Sequence, residues 1–303
     1  MSELAPFLIA ALVLATAVAG AARWRFQAAD DPSLNSIVGG TVLVLTTVVS
    51  LVAAPFWWLD LEGSFPWDLP PAASRLFAVA ALAFGAAGVL AIERPTPRRT
   101  RLYLTMVAAY LCPLFVASIF HSAVFDLTRV STWLFFLVTG FLSLSAALEL
   151  LRVYTVHPGL AATRLETAVI QLWLVMIGLA MAGWSLALFL APDTLYPAVF
   201  LWPDDALTSR AIGAMLLSIG VAALLAMQDA ASSRMALLFA GVYGAGTICA
   251  FSLTKSFAFN PPLLYLIGIG GMGLVSLAFL ALLVNLEAPV PRQTSTPMRR
   301  IAR

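Results

Sequence analysis

Charge is what this chain has least of. Only 11% of its 303 residues are Asp, Glu, Lys or Arg, while 61% are hydrophobic. A soluble domain carries about 25% charged residues. So little polar surface cannot cover a water-facing globule, which leaves lipid as the solvent. The formal net charge of +2 supplies no basic surface for nucleic acid.

Reactive side chains are also scarce. The two cysteines, Cys112 and Cys249, fall inside apolar runs, where each is expected to be a small buried packing residue. The two histidines are His121 and His157, and neither has a Cys or a carboxylate at metal-ligand spacing. No metal and no cofactor are therefore expected. No ionisable residue stands near the centre of an apolar run. Glu149 and Lys255 lie near run ends, from which a long side chain reaches the interface. G-x-S-x-G, H-E-x-x-H and paired intramembrane aspartates are all missing. The chain is not expected to be an enzyme. "LIGIGGMGL" at 266–274 is glycine-rich but follows no strand, so Gly268 and Gly271 are expected to serve helix contacts rather than a phosphate.

What the chain does have is a series of long apolar runs. A helix needs roughly 17–25 such residues to cross a bilayer. Nine runs qualify, at about 5–22, 36–59, 73–92, 102–122, 131–151, 167–190, 210–228, 236–255 and 263–286. A barrel would show alternating segments of about ten residues. These continuous runs predict helices, which satisfy their own backbone groups in hydrocarbon. Pro113 is expected to kink the fourth.

The chain also repeats itself. "WDLPPAASRLFAVAALAFG" from Trp67 aligns without a gap on "WPDDALTSRAIGAMLLSIG" from Trp202. The register pairs Trp67 with Trp202, Ser74 with Ser209, Arg75 with Arg210 and Gly85 with Gly220, and it carries Arg99 onto Arg234. Spans 2–5 then overlie spans 6–9. A repeat of four spans enters the membrane twice in the same sense, which makes it a parallel repeat about an axis along the membrane normal. The expected organisation is an N-terminal helix and linker at 1–35, repeats at 36–166 and 167–288, and a basic tail at 289–303. Arg75, Ala78, Leu82 and Gly85 share one helix face by their spacing, which suits close helix packing.

Lys and Arg concentrate on the cytoplasmic side of membrane proteins. With the N-terminus outside, 13 of the 17 basic residues fall inside; Arg75, Arg129, Arg210 and Lys255 are the exceptions. The N-terminal "MSELAPFL" has no basic residue, and the charges of "RWRF" follow the first run. That is the pattern of an N-out anchor rather than a cleaved signal. The external loops "PFWWLDLEGSFPWDLPP" and "PDTLYPAVFLWPDD" combine aromatics, proline and acid. They suit either anchors at headgroup level or the roof of a binding vestibule. Trp67, Asp68, Arg75, Trp202, Asp204, Asp205 and Arg210 form the candidate external-face cluster. Each arginine is expected to contact loop carboxylates or carbonyls.

The sequence thus predicts an all-α integral membrane protein of about nine transmembrane helices, N-out and C-in, in the plasma (inner) membrane. Its partners are the lipid bilayer and a small or lipid-like ligand, with no nucleic acid. A permease-like transporter with its pathway between the repeats is one functional expectation. A non-catalytic subunit or scaffold that binds proteins or lipids is the other. The orientation is tested with Pro97→Cys in a chain lacking Cys112 and Cys249. A membrane-impermeant thiol reagent is expected to label it only after the cells are permeabilised.

Overall fold

Helices begin where the chain offers a cap or a proline. The structure, a computed structural model, describes residues 16–25, 34, 36–61, 63–156, 168–191, 206–227, 229–253 and 266–286. Helix α1 covers residues 16–25. It is followed by α2 (Ile37–Trp58), α3 (Pro71–Glu93), α4 (Pro97–Phe120) and α5 (Val130–Val156). Then come α6 (Ala168–Leu190), α7 (Ala206–Ala226), α8 (Ala230–Leu253) and α9 (Gly271–Leu286), the last preceded by a π-helical turn at Leu266–Gly270. No strand occurs among the described residues.

Ser36 caps α2 by accepting the Gly39 N–H at 3.1 Å, and Thr96 caps α4 by accepting that of Arg99 at 3.2 Å. Pro71 and Pro97 stand in the first turns of α3 and α4, where no N–H is needed. Asp229 accepts the Ser232 N–H at 2.9 Å and so starts α8 at Ala230, ahead of the expected residue 236. The cap carries the helix across the polar "SSR" segment that hydropathy alone leaves out. Helix α4 is continuous through Pro113.

Eight helices, α2 to α9 with its π-helical turn, are long and apolar enough to cross a membrane. The chain is a polytopic membrane protein. Most of the run expected at 5–22 lies outside the described residues, as do the linker and tail flanking the bundle.

Helix α2 packs on α3, and α6 packs on α7. In the same way α4 packs on α5, and α8 on α9. Two crossings join these pairs: α4 lies against α7, and α3 against α8. The centre belongs to α3 and α7, each with 72% of its apolar window buried, whereas α5 has 28%. On α5, Val130, Leu134, Leu137, Phe141, Leu144, Leu148 and Leu151 are exposed at spacings of three and four, a face suited to lipid tails. Loops 59–70 and 121–129 share one end of the bundle, hereafter the aromatic end. The short connections 94–96 and 227–229 share the other, the basic end.

Close crossings are made by glycine. A Cβ placed on Gly220 would lie 2.9 Å from the Ala182 nitrogen and 3.0 Å from the Gly178 oxygen, so α7 touches α6 through backbone. A Cβ on Gly244 would lie 2.5 Å from the Gly273 Cα. The expected contacts of the glycine-rich run therefore shift. Gly273, not Gly271, makes the crossing, and a Cβ on Gly271 would have nothing within 4 Å. Gly268 is in ordinary reach of Trp184.

Two further expectations change. Glu149 does not extend to the interface; it is 4% exposed and ion-pairs with Arg152 at 2.7 Å, one turn away on α5. Cys249 is exposed on α8 rather than buried, whereas Cys112 is partly buried with its thiol 3.7 Å from the Ser143 carbonyl. Their ion-pairing and lipid-facing positions depend on neighbours that hydropathy does not name. Lys255 and His157 lie outside the described residues.

The glycine crossings predict a contrast. Gly244→Val is expected to destabilise the bundle by about 1–3 kcal/mol through overpacking. Gly183→Ala, on an open face of α6 with nothing within 4 Å, is expected to be neutral or mildly stabilising. Thermal unfolding in detergent compares them.

Candidate functional site

At the aromatic end, the C-terminal carbonyls of α2 need partners, because a helix leaves its last four unsatisfied. The next helix supplies them. Ser74 donates its hydroxyl to the Trp57 carbonyl at 2.7 Å, and Arg75 Nε donates to the Trp58 carbonyl at 3.4 Å. The second half of the chain does the same with the matching residues. Ser209 donates to the Leu188 carbonyl at 3.2 Å, and Arg210 Nε to the Phe189 carbonyl at 3.1 Å. Each Ser-Arg dipeptide thus clamps the end of the preceding helix.

Arg210 also contacts His121 Nε2 at the end of α4. Asp68 does not serve Arg75. Its side chain is 96% exposed and lies 3.5 Å from Arg129. Arg129 also lies 3.2 Å from Asp126. The Thr128 hydroxyl and N–H both donate to Asp126, at 2.6 and 2.9 Å, and hold its carboxyl below the usual carboxylate range. Trp202, Asp204 and Asp205 lie outside the described residues.

Loop 59–70 folds back over the bundle. Asp60 and Gly63 take positive φ angles of 52° and 75°, a region open to glycine and tolerated by aspartate. Trp57 Nε1 donates to the Ser64 carbonyl at 3.1 Å, which closes the turn. Trp67 is then driven inward. It is 3% exposed, so it is no headgroup anchor but the centre of a ring cluster. Its centroid lies 4.7 Å from Phe65, 5.3 Å from Phe125 and 5.6 Å from Phe135, all edge-on. Such pairs add about 0.5–1.5 kcal/mol each beyond area burial. Trp67 Nε1 donates to the Thr208 hydroxyl at 3.4 Å, which reaches across to α7.

Beneath this roof is a cavity of about 320 Å³. It is lined by α2 (Thr46, Val49, Ser50, Trp57), α3 (Phe77, Ala81, Phe84), α4 (Val107, Tyr110, Leu111, Leu114), α5 (Ser131, Leu134, Phe135, Val138, Thr139, Leu142) and loop residues 64–67. Its size falls at the lower end of ligand pockets, about 300–1,000 Å³. The lining is overwhelmingly apolar and contains no Asp, Glu, Lys, Arg or His. Leu134, which is 56% exposed, places one wall at the lipid-facing side of α5. Thr46 is 7% exposed, and its hydroxyl is buried without a hydrogen-bond partner. Buried polar atoms are rarely left so.

The cavity lies inside the first half of the chain, not between the halves. At the crossing between halves, described side chains meet directly: Phe84 lies 4.9 Å from Phe239, and Ser218 donates to the Met106 carbonyl at 2.9 Å. Sequence reasoning found Trp67 and Arg75 through the repeat but missed Thr46, Ser50 and Tyr110. Nothing in their local pattern separates them from ordinary small or aromatic core residues. The cavity arises from four helices and a loop together. Among the described residues no group of three His, Cys, Asp or Glu could hold a metal ion. No family model, curated protein or solved structure matches the chain.

The clamps generate a prediction. Arg75→Gln and Arg210→Gln are each expected to cost about 0.5–1.5 kcal/mol, since each removes a hydrogen bond to a part-buried helix-end carbonyl. Asp68→Asn, at an exposed site, is expected to change stability by less than about 0.5 kcal/mol. Unfolding midpoints of the three variants decide between a clamp and a surface role.

Proposed function

We propose that this protein binds a lipid-like molecule in the cavity of its first half and acts as a permease-like transporter in the plasma (inner) membrane. The observation that carries the reading is the apolar cavity beside the lipid-facing helix α5, closed at the aromatic end by the buried Trp67. An apolar lining matches acyl or isoprenoid chains, and the few hydroxyl-bearing residues along it, such as Ser50 and Tyr110, suit a molecule with little polar surface. The binding step is placed in this cavity rather than in the crossing between the halves.

We further propose that spans α2–α5 and α6–α9 are parallel repeats, with the aromatic end outside. Supporting this are the two Ser-Arg clamps, one register apart, and the matched helix pairs. The α2–α3 packing corresponds to α6–α7, α4–α5 to α8–α9, and α4–α7 to α8–α3. Duplicated bundles recur among transporters, which is a fold-level analogy.

A second reading is a non-catalytic membrane subunit that holds a lipid without moving it. The direct side-chain contacts at the crossing between the halves favour it, because alternating access needs a seam that can open. The two readings share the binding step and differ in turnover.

Binding is tested with a phospholipid carrying a photoreactive group on its acyl chain, incubated with the full-length protein in membranes. Crosslinks are expected on peptides containing Thr46, Ser50 or Tyr110, and Ser50→Phe is expected to abolish them by filling the cavity. Labelling confined to the outer face of α5 would sink the proposal. Transport is tested in reconstituted vesicles by the leaflet exchange of the same lipid. Exchange is expected without a proton gradient, since no carboxylate lines the cavity. Binding without exchange selects the subunit reading.

A further inference from the structure

The basic end holds a second arrangement that neither the cavity nor the clamps use. Arg99 lies in the first turn of α4, where the chain enters the bundle. It is 6% exposed. Its Nη1 donates to the Arg94 carbonyl at 2.8 Å, but its Nε is buried without a hydrogen-bond partner. Burying a guanidinium normally requires a facing anion, because the charge loses its hydration.

The anion within reach is already engaged. Asp229 accepts the Ser232 N–H on Oδ1 at 2.9 Å and the Ser232 hydroxyl on Oδ2 at 2.6 Å. The same Oδ2 lies 3.6 Å from Arg98 Nη1. Arg94 and Arg234 act on Arg99 as like charges, and Asp229 alone among the acids acts against them. Among the described residues, Asp229 is the carboxylate that acts on Arg98 and Arg99, while Arg94 and Arg234 add like charge beside Arg99. Arg234 is the residue that the 135-residue register matches to Arg99, and it lies near the start of α8. The positive charge is thus supplied from two helices that begin at the same end of the bundle.

We propose that Arg99, with Arg98 and Arg234 around it, binds the oxyanion of a phosphate group. The group is presented either by an anionic lipid headgroup or as free phosphate. A guanidinium offers its Nε–H and Nη–H as a planar fork that fits two oxygens of one phosphate. Such an anion supplies an acceptor for the Arg99 guanidinium and a negative charge beside it. A connection of three residues, 94–96, holds this cluster at the end of the spans, which is headgroup depth for a bundle of this length.

The test uses the full chain purified in neutral detergent, with the thermal unfolding midpoint as readout. Inorganic phosphate is titrated in one arm, with sodium chloride at matched ionic strength as its control. Mixed micelles of phosphatidylglycerol or phosphatidylcholine form the other. A saturable rise on the order of a few degrees is expected in at least one arm. A response to both phosphate and phosphatidylglycerol assigns a phosphate site open to solution. A response to phosphatidylglycerol alone assigns the headgroup. Arg99→Gln is expected to abolish the rise, and Arg99→Lys to retain part of it. If Arg99→Gln does not fold, half-buried Arg234→Gln is read instead and is expected to weaken the rise. No rise in either arm, or an equal rise in the glutamine variant that folds, overturns the proposal.

Discussion

A helix leaves its last carbonyls without partners of its own. The bundle meets that constraint with a side chain from the next helix. Ser74 and Arg75 reach back to the end of α2, and Ser209 and Arg210 reach back to the end of α6. Because donor and acceptor belong to consecutive helices, each bond also fixes the depth at which those helices meet. Register then follows along the whole contact. Gly85 lies against Leu51, and Gly220 against Ala182 and Gly178, only when the clamped ends are level. In the proposed orientation both arginines stand on the external side, and the clamp gives them a structural duty there.

Much of the fold could be read directly. Hydropathy located the spans to within a few residues, since a run of apolar side chains long enough to cross lipid has few alternatives. The ends were harder. Capping by Asp229 and the continuation of α5 past Arg152 depend on local hydrogen bonds and pairing, which an apolar average smooths away. The aromatic loop was recognised as distinctive, but its direction was not legible. Trp67 suited either an anchor at headgroup level or the roof of a vestibule. Phe65, Phe125 and Phe135, far apart in sequence, decide for the core.

Cavities and unpaired atoms were the least legible. Thr46 and Thr47 are neighbours of the same type, yet Thr47 donates to the Leu43 carbonyl at 2.6 Å while the Thr46 hydroxyl has no partner. Only the rotation of α2 against α3 and α4 separates them. Arg99 and Arg98 differ in the same way, since one is turned into the bundle and the other half-faces solvent beside Asp229. Neighbouring identical residues therefore acquired different chemistry from a turn of about 100° around a helix axis.

The tie between Trp67 and Thr208 has a mechanical meaning. The indole that closes the first-half cavity is fastened to a helix of the second half, and Arg210 of that helix also grips His121. The lid and its hinge are thus on different parts of the chain. Any tilt of α7 relative to α3 pulls on the ceiling of a chamber that α7 does not line. One indole nitrogen and one threonine oxygen thus make the ceiling of the first-half cavity a shared part of both halves.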